Sequence, residues 1–137
     1  MDQDIREYLK GERTCVVAVE MMDGSPHAST VHFATAEDPF CFIFETDKTY
    51  RKSEPLFGRE TSRASVVVGT VEGKTETLQL DGVVSLTNDE TLKATYLAKF
   101  PEKVAKAQGE NVIFFTFSPT WWRFTEWGKE GKKIRTS

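Results

Sequence analysis

FCFIFETDKTYRKSEPL, the stretch from Phe40 to Leu56, passes from an apolar run into a polar turn that carries two adjacent cations. From Phe40 to Phe44 almost every residue is aromatic, β-branched or cysteine, which is typical of a strand covered on both faces. Helical spacing resumes at Glu54. The pattern predicts a buried strand, a polar turn and a helix from about Arg51 to Gly58, with the rest of the sheet built around the strand.

The two cations of this stretch, Arg51 and Lys52, fall at the predicted strand-to-helix turn. A helix N-terminus offers unpaired backbone N–H groups and a partial positive charge, and both favour an anion. The guanidinium and the ammonium suit a phosphate. Short hydroxyl donors are added by Thr46, Thr49 and Ser53. The local pattern fits a phosphate-binding turn, and it also fits a solvated first turn of a helix.

Further β-rich stretches lie on both sides of the buried strand. Turn residues such as Asp23-Gly24, a hairpin signal, separate them. Gly82 shifts the phase of the apolar positions in its strand, which predicts a bulge or bend that helps to close a barrel. The predicted strands number seven: Thr14–Met22, His27–Thr35, Phe40–Phe44, Arg63–Val71, Thr75–Leu86, Val112–Ser118 and Thr120–Trp127.

Helical spacing predicts about four helices in addition to these strands. Asp4–Gly11 is amphipathic, Thr87 with Glu90 has the pattern of a capping box that opens a third helix, and Pro101–Gln108 forms a short fourth. Short strands joined by hairpin turns describe an α+β fold that is mainly β, an antiparallel barrel decorated by helices. A parallel doubly wound sheet would need a helix between most strands, and the sequence lacks them.

The chain has 137 residues, and we expect residues 1–137 to form a single domain. Its net charge of −3 argues against a nucleic-acid binder, and the basic run Lys129–Arg135 fits a solvated tail. No stretch approaches about 18 apolar residues, so we expect no membrane span. Cys15 and Cys41 lie in apolar strand patterns, which fits buried thiols in a reducing compartment and predicts a cytoplasmic location.

Alternation along the second strand places Ser29, Val31 and Phe33 on one face. The other face carries Thr30 and His32, small or polar side chains that could line a groove. At such a groove the imidazole could donate a hydrogen bond or a proton to a ligand, or it could be a satisfied structural histidine.

The histidines of the chain, His27 and His32, have an odd separation within one strand. Side chains at that spacing point to opposite faces, so the two rings cannot readily share a metal ion. We therefore expect no metal site.

A series of short motifs runs through the chain between Thr14 and Trp127. They are Asp23-Gly24-Ser25-Pro26, Ser29-Thr30-Val31-His32-Phe33, Phe44-Glu45-Thr46 with Arg51-Lys52, Leu80-Asp81-Gly82, Asn88-Asp89-Glu90 and Tyr96. In this order they resemble the FMN-binding split barrels related to pyridoxamine 5′-phosphate oxidase, in particular the branch of general stress proteins. The resemblance implies an antiparallel split β-barrel of the FMN-binding type.

The resemblance also implies a set of cofactor-binding residues. The flavin ring would lie along Ser29, Thr30, Val31, His32 and Phe33, the ribityl chain along Glu45 and Thr46, and the phosphate at Arg51 and Lys52. The site would lie between the subunits of a homodimer, with Gln79 or Thr77 and the Trp121-Trp122 region supplied by the partner. The aromatic residues of Trp121–Trp127 and Phe114–Phe117 favour a dimer, because they exceed what a small barrel readily encloses.

The chain departs from the oxidases proper at two places. They carry basic residues at the ends of the second strand, where this chain has Ser29 and Ala34, and their arginine-and-histidine substrate clamp has no match in Trp127–Glu130. The resemblance therefore predicts an FMN-dependent oxidoreductase or flavin reductase of unknown substrate, or a redox sensor, rather than a pyridoxamine phosphate oxidase. A flavin- or haem-binding protein without turnover and a cofactor-free barrel remain as alternatives.

Overall fold

The computed structural model describes all 137 residues. Eight strands form one antiparallel sheet, against which three helices and three short 3₁₀ turns pack. The strands are β1 (Thr14–Glu20), β2 (Pro26–His32), β3 (Ala34–Ala36), β4 (Cys41–Asp47), β5 (Ser62–Val68), β6 (Glu76–Thr87), β7 (Val112–Gly128) and β8 (Gly131–Thr136). The helices are α1 (Gln3–Gly11), α2 (Glu54–Gly58) and α3 (Glu90–Lys99), and the 3₁₀ turns are Arg51–Ser53, Pro101–Lys103 and Lys106–Gln108.

The order of the strands explains how the sheet curves into a split barrel. Neighbouring strands follow the order β2-β1-β5-β6-β7-β4-β3, with β8 added beside β7. The two ends of this order, β2 and β3, follow each other in sequence with only Phe33 between them. The sheet must therefore roll until its two ends meet, which confirms the antiparallel split barrel predicted from the sequence.

The buried strand β4 has its two faces in two different cores, as its composition predicted. Phe42 and Phe44 belong to the main core inside the barrel. Cys41 and Ile43 belong to a smaller core beneath α3, where Tyr96 is fully buried. A strand that is covered on both sides cannot alternate polar and apolar residues, and this explains its continuous apolar run.

The irregularity predicted at Gly82 is present. The pairing of β6 with β7 shifts between Asp81 and Gly82, because Asp81 faces Trp121 while Gly82 faces Pro119. A Cβ atom at Gly82 would lie 2.1 Å from the carbonyl oxygen of Ser118, so no other residue fits there without backbone movement. The bulge bends both strands at the point where the barrel curves.

The structure corrects two predictions about strands and one about the C-terminal tail. The second strand is interrupted at Phe33, so that β2 and β3 pair with different neighbours. The two aromatic strands predicted on either side of Ser118-Pro119 are one strand, β7, because the proline falls at the bulge, where its missing N–H costs no regular hydrogen bond. The basic run Lys129–Arg135 is not a tail, since Gly131–Thr136 pairs with β7 as strand β8.

Two helix predictions also need correction. Helix α3 is capped by Asp89, whose carboxylate accepts from the N–H groups of Thr91 at 2.8 Å and Leu92 at 3.2 Å. Thr87 instead accepts from the N–H of Asp89 at 3.1 Å, so the predicted capping box does not form. The segment predicted as a helix from Pro101 contains two separate 3₁₀ turns.

Three of the phenylalanines that favoured a dimer, Phe114, Phe115 and Phe117, are buried within the chain itself. They therefore give no reason to expect a partner. Trp127, at the far end of β7, is 54% exposed, so the argument for a dimer from exposed aromatic residues now depends on that end of the strand.

No helix of the fold is long and apolar enough to cross a membrane. Cys15 and Cys41 are both buried and unpaired, and burial raises the pKa of each thiol. No group of three or more His, Cys, Asp or Glu side chains is placed to hold a metal ion.

Candidate functional site

A small cleft of about 180 Å³ lies where β2, β4 and the turn after β4 meet the two 3₁₀ turns that follow α3. Side chains from all of these elements face it, and most are polar or charged. The lining residues are Thr30, Val31, His32, Glu45, Thr46, Asp47, Tyr50, Lys52, Lys103, Lys106 and Val112.

The turn after β4 is held in shape by Asp47. Its carboxylate accepts hydrogen bonds from the Thr49 N–H at 2.8 Å and the Thr49 hydroxyl at 2.6 Å. The Ser53 hydroxyl donates to the backbone carbonyl of Asp47 at 2.8 Å. Aspartate commonly closes a turn through its own backbone two residues on. Because the turn is closed at both ends, Lys52 is directed into the cleft while Arg51 remains exposed.

Lys52 is a largely buried lysine whose ammonium has no anionic partner within the chain. The residue is 7% exposed, and its ammonium forms no hydrogen bond or ion pair within the protein. Its Nζ atom lies 5.0 Å from the centre of the Tyr50 ring, which gives partial compensation at most. Burial lowers the pKa of Lys52. A buried charge of this kind is costly unless an anion binds beside it.

Two buried polar atoms in the cleft lack a hydrogen-bond partner. They are Oε2 of Glu45 and the hydroxyl oxygen Oγ1 of Thr46. The Glu45 side chain is 1% exposed, and its other oxygen lies 3.6 Å from the Lys106 ammonium. Buried polar groups in proteins are nearly always hydrogen-bonded, so this pair of orphaned atoms makes the cleft the candidate ligand site.

Across the cleft, His32 is held by a lysine that the sequence analysis did not single out. The Nζ atom of Lys103 lies 2.9 Å from His32 Nδ1 and 3.2 Å from the Tyr96 hydroxyl. The imidazole packs edge-on against Phe100, with ring centres 5.3 Å apart. Burial and, next, the Lys103 charge lower the pKa of His32. The ring is therefore a neutral group in a cationic setting.

Comparison with protein families then decides which family the chain belongs to. A model of the pyridoxamine 5′-phosphate oxidase family matches residues 1–126. The chain belongs to this family. It has no sequence match among curated proteins.

Solved structures agree with this family assignment. A protein from Clostridium acetobutylicum related to general stress protein 26, of the pyridoxine phosphate oxidase family, is similar with a TM-score of 0.68 at 13% identity, over 98% of this chain and 96% of that one. A haem-binding protein from Mycobacterium smegmatis is similar with a TM-score of 0.76 at 13% identity, over 98% of this chain and 56% of that one. A haem storage protein from Vibrio cholerae is similar with a TM-score of 0.65 at 17% identity, over 86% of this chain and 89% of that one. At these identities the likeness concerns the fold alone.

The family resemblance predicted eleven cofactor-binding residues, of which the structure brings six together in one cleft: Thr30, Val31, His32, Glu45, Thr46 and Lys52. Five others do not line it. Phe33 belongs to the core, Ser29 has a buried hydroxyl without a partner, and Arg51 is exposed. Gln79 on β6 and Trp122 on β7 were expected from the partner subunit, so their roles stay predictions.

Sequence reasoning missed the two lysines on the far wall, Lys103 and Lys106. They lie in the segment Pro101–Gln108, which was interpreted only as a short helix. A spacing of three residues puts side chains on one side of a helical segment, and a pair of lysines on the same side was the available signal. Their closeness to His32 and Glu45 depends on the fold, because these residues are distant in sequence.

Proposed function

We propose that this protein binds FMN in the cleft, with the phosphate at Lys52 and the ribityl hydroxyls at Glu45 and Thr46. The observation that supports this most directly is the set of groups left open: the ammonium of a largely buried lysine, a buried carboxylate oxygen and a buried hydroxyl. A polyol phosphate complements all three, since its phosphate pairs with the cation and its hydroxyls donate to the carboxylate. The fit is chemical, and it agrees with the cofactor that the family resemblance implies.

The size of the cleft favours a site shared between two subunits. Its volume of about 180 Å³ is below the range of roughly 300 to 1,000 Å³ that is typical of ligand pockets. It suits the ribityl phosphate, whereas the flavin ring would extend along Thr30, Val31 and His32 beyond the enclosed part. A second copy of the chain would supply the missing wall, with Gln79 and Trp122 as its proposed contributions. We therefore propose a homodimer.

The proposed activity is that of a flavin-dependent oxidoreductase or reductase of unknown substrate. The flavin supplies the electron-transfer chemistry when it is bound, and the protein supplies position and electrostatics. The C-terminal strand supports a reaction other than pyridoxamine phosphate oxidation, because its Arg135 is occupied by three carboxylates rather than free to hold a substrate. The buried thiols of Cys15 and Cys41 support a reducing compartment such as the cytoplasm.

Titration of the ligand-free protein with FMN, riboflavin and haemin, followed by fluorescence and absorption spectra, tests the cofactor. We expect FMN to bind at least about 10-fold more tightly than riboflavin, because only FMN carries the phosphate that pairs with Lys52. Equal affinity for the two flavins would contradict the phosphate assignment. Haemin binding with a Soret band and no flavin affinity would favour the alternative of a haem-binding protein. Two of the structurally similar proteins are named as haem-binding or haem storage proteins.

The proposed dimer is tested by light scattering at micromolar protein, with and without FMN. We expect a particle of twice the 15.5 kDa chain mass. A monomer under both conditions would show that one subunit must hold the whole ligand, which the small cleft makes difficult.

A further inference from the structure

We infer that Lys103 is a positioning residue that holds His32 as the neutral tautomer with its proton on Nε2, so that the imidazole presents a hydrogen-bond donor to the ligand of the cleft. The identity of that ligand rests on the proposed function, whereas the tautomer does not. No cofactor-binding role was predicted for Lys103 from the sequence.

The contact between the two side chains determines where the proton lies. Lys103 Nζ is 2.9 Å from His32 Nδ1. An ammonium has three donors and no acceptor, so Nδ1 must be the unprotonated nitrogen and the neutral ring carries its hydrogen on Nε2. A second ammonium proton of Lys103 is directed to the Tyr96 hydroxyl at 3.2 Å. The two acceptors therefore hold the Lys103 ammonium in place, and the ammonium determines the tautomer of the His32 ring.

The surroundings of His32 keep the ring neutral. Burial lowers its pKa most, and the cations of Lys103, Arg13 and Lys106 act in the same direction. The Glu102 carboxylate opposes them but is paired with Arg13 at 2.7 Å. The Phe100 ring, inclined at 73° to the imidazole, covers another side of it. A ring that stays neutral at neutral pH keeps a defined tautomer, which a partly protonated ring would not.

The second ring nitrogen, Nε2, makes no hydrogen bond within the protein, and His32 lines the cleft. An N–H group in this position suits an acceptor such as a ring carbonyl or a ring nitrogen of a flat heterocycle. The same arrangement is unsuited to iron ligation through Nε2, because a ligating histidine keeps its proton on Nδ1 and donates it to an acceptor. Lys103 thus selects a hydrogen-bonding role for His32 over a metal-ligating one.

Long-range proton–nitrogen NMR correlations of the ligand-free protein identify the tautomer of His32 directly. We expect the wild type to carry the proton on Nε2. In Lys103→Glu (K103E) the new carboxylate accepts from Nδ1, so the proton should move to Nδ1 when the spectra are recorded at a pH high enough to keep the ring neutral, since the carboxylate also raises the pKa of His32. The matched control is K106E, which makes the same change of charge in the same cleft without contacting His32, and there the proton should stay on Nε2.

A proton on Nδ1 in the wild type would overturn the inference, and that measurement needs no variant. A folded K103E that keeps the proton on Nε2 would also overturn it. If K103E does not fold, K103M takes its place, and the loss of the donor should then produce a mixture of the two tautomers. A change of tautomer in K106E equal to that in K103E would show that net charge, not the contact, selects the tautomer.

A double-mutant cycle then tests whether Lys103 acts through His32 on the ligand. K103M should weaken FMN binding by roughly 3- to 10-fold, as expected for one misplaced hydrogen bond. In the background of His32→Phe, which keeps a ring against Phe100, the same change should have almost no effect. An undiminished loss in that background would mean that Lys103 contacts the ligand itself. If FMN does not bind to the wild type, the proposed function fails, and the NMR result still decides the tautomer.

Discussion

The cleft and the junction of the two chain termini differ in how their cations are compensated. At the cleft, Lys52 is 7% exposed and has no anionic partner. At the junction, Arg135 on β8 lies 3.0 Å from Asp2, 2.8 Å from Asp4 and 3.2 Å from Glu126. A cation that the fold itself compensates has a structural role, whereas the uncompensated lysine of the cleft is where we propose that an anion from outside the chain binds.

The pKa values of the two cations shift in opposite directions, because only one of the cations has carboxylates beside it. Burial lowers the pKa of Lys52, since nothing nearby stabilises its charge. The hydrogen bond with Asp4 raises the pKa of Arg135 and outweighs the opposing effect of burial. The fold therefore disfavours the charge of Lys52 and favours that of Arg135. Removing the two charges should have opposite effects on the stability of the ligand-free protein.

Replacing Lys52 by methionine (K52M) should have the largest effect. A charged hydrogen bond contributes roughly 1.5 to 3 kcal/mol, so the affinity for FMN should fall by about 10- to 150-fold, with the affinity for riboflavin almost unchanged. In the ligand-free protein the free energy of unfolding at neutral pH should increase. The reason is that the desolvation penalty on the Lys52 ammonium is fully present below its lowered folded-state pKa. Calorimetric titration and urea denaturation measure the two effects.

The control for this change is K48M, which removes an exposed lysine from the same turn. It should leave both the FMN affinity and the stability nearly unchanged. The assignment of the phosphate to Lys52 fails if K52M retains wild-type FMN affinity, or if K48M loses as much as K52M does.

Glu45→Gln (E45Q) should have the next largest effect, and on both flavins alike. The buried Oε2 of Glu45 is proposed to accept from ribityl hydroxyls, which FMN and riboflavin share. Because glutamine keeps an acceptor oxygen, only the charge assistance is lost, which should weaken both ligands by about 5- to 10-fold. The ratio of the two affinities should stay as in the wild type, and a change in that ratio would place Glu45 near the phosphate instead.

Local sequence patterns predicted the parts of the molecule whose cause is local. The continuous apolar run of β4 follows from burial on both faces, and the phase shift at Gly82 follows from one bulge, so each could be recognised within a few residues. Strand β8 was missed because half of its residues are charged and all but Arg135 are exposed. Arg135 is ordered by carboxylates at the other end of the chain and on β7.

For the candidate site as well, local sequence patterns predicted the residues that are close together in sequence and missed those that are far apart. Glu45, Thr46 and Lys52 follow one another along a single strand and turn, and a short motif therefore contained them. Lys103 reaches His32 across 71 positions of sequence, through the packing of the segment after α3 against β2. No spacing rule connects residues that far apart, so this wall of the cleft became visible only in the folded structure.

Replacing Arg135 by methionine (R135M) should destabilise the protein without affecting the ligand. Its side chain is 23% exposed, so solvent screens each ion pair and the network contributes about 1 kcal/mol. The melting temperature should fall by about 4 °C, while the affinity for FMN stays within about twofold of the wild type, measured by the same calorimetric titration. A large loss of FMN affinity would show that the junction of the termini belongs to the site after all.

The smallest expected effect is the pH dependence of that destabilisation. The hydrogen bond from Arg135 lowers the pKa of Asp4 from its ordinary value of 3.8. Because the folded-state pKa is the lower one, the stabilising contribution of Asp4 is fully present above pH 3.8 and is lost as the pH falls through the folded-state value. The difference in melting temperature between the wild type and R135M should therefore be constant from pH 7 to about pH 5 and should shrink between about pH 4 and pH 2. A difference that is independent of pH over the whole range would mean that Arg135 stabilises the junction by packing on Phe124, whose ring centre is 5.3 Å away, rather than by charge.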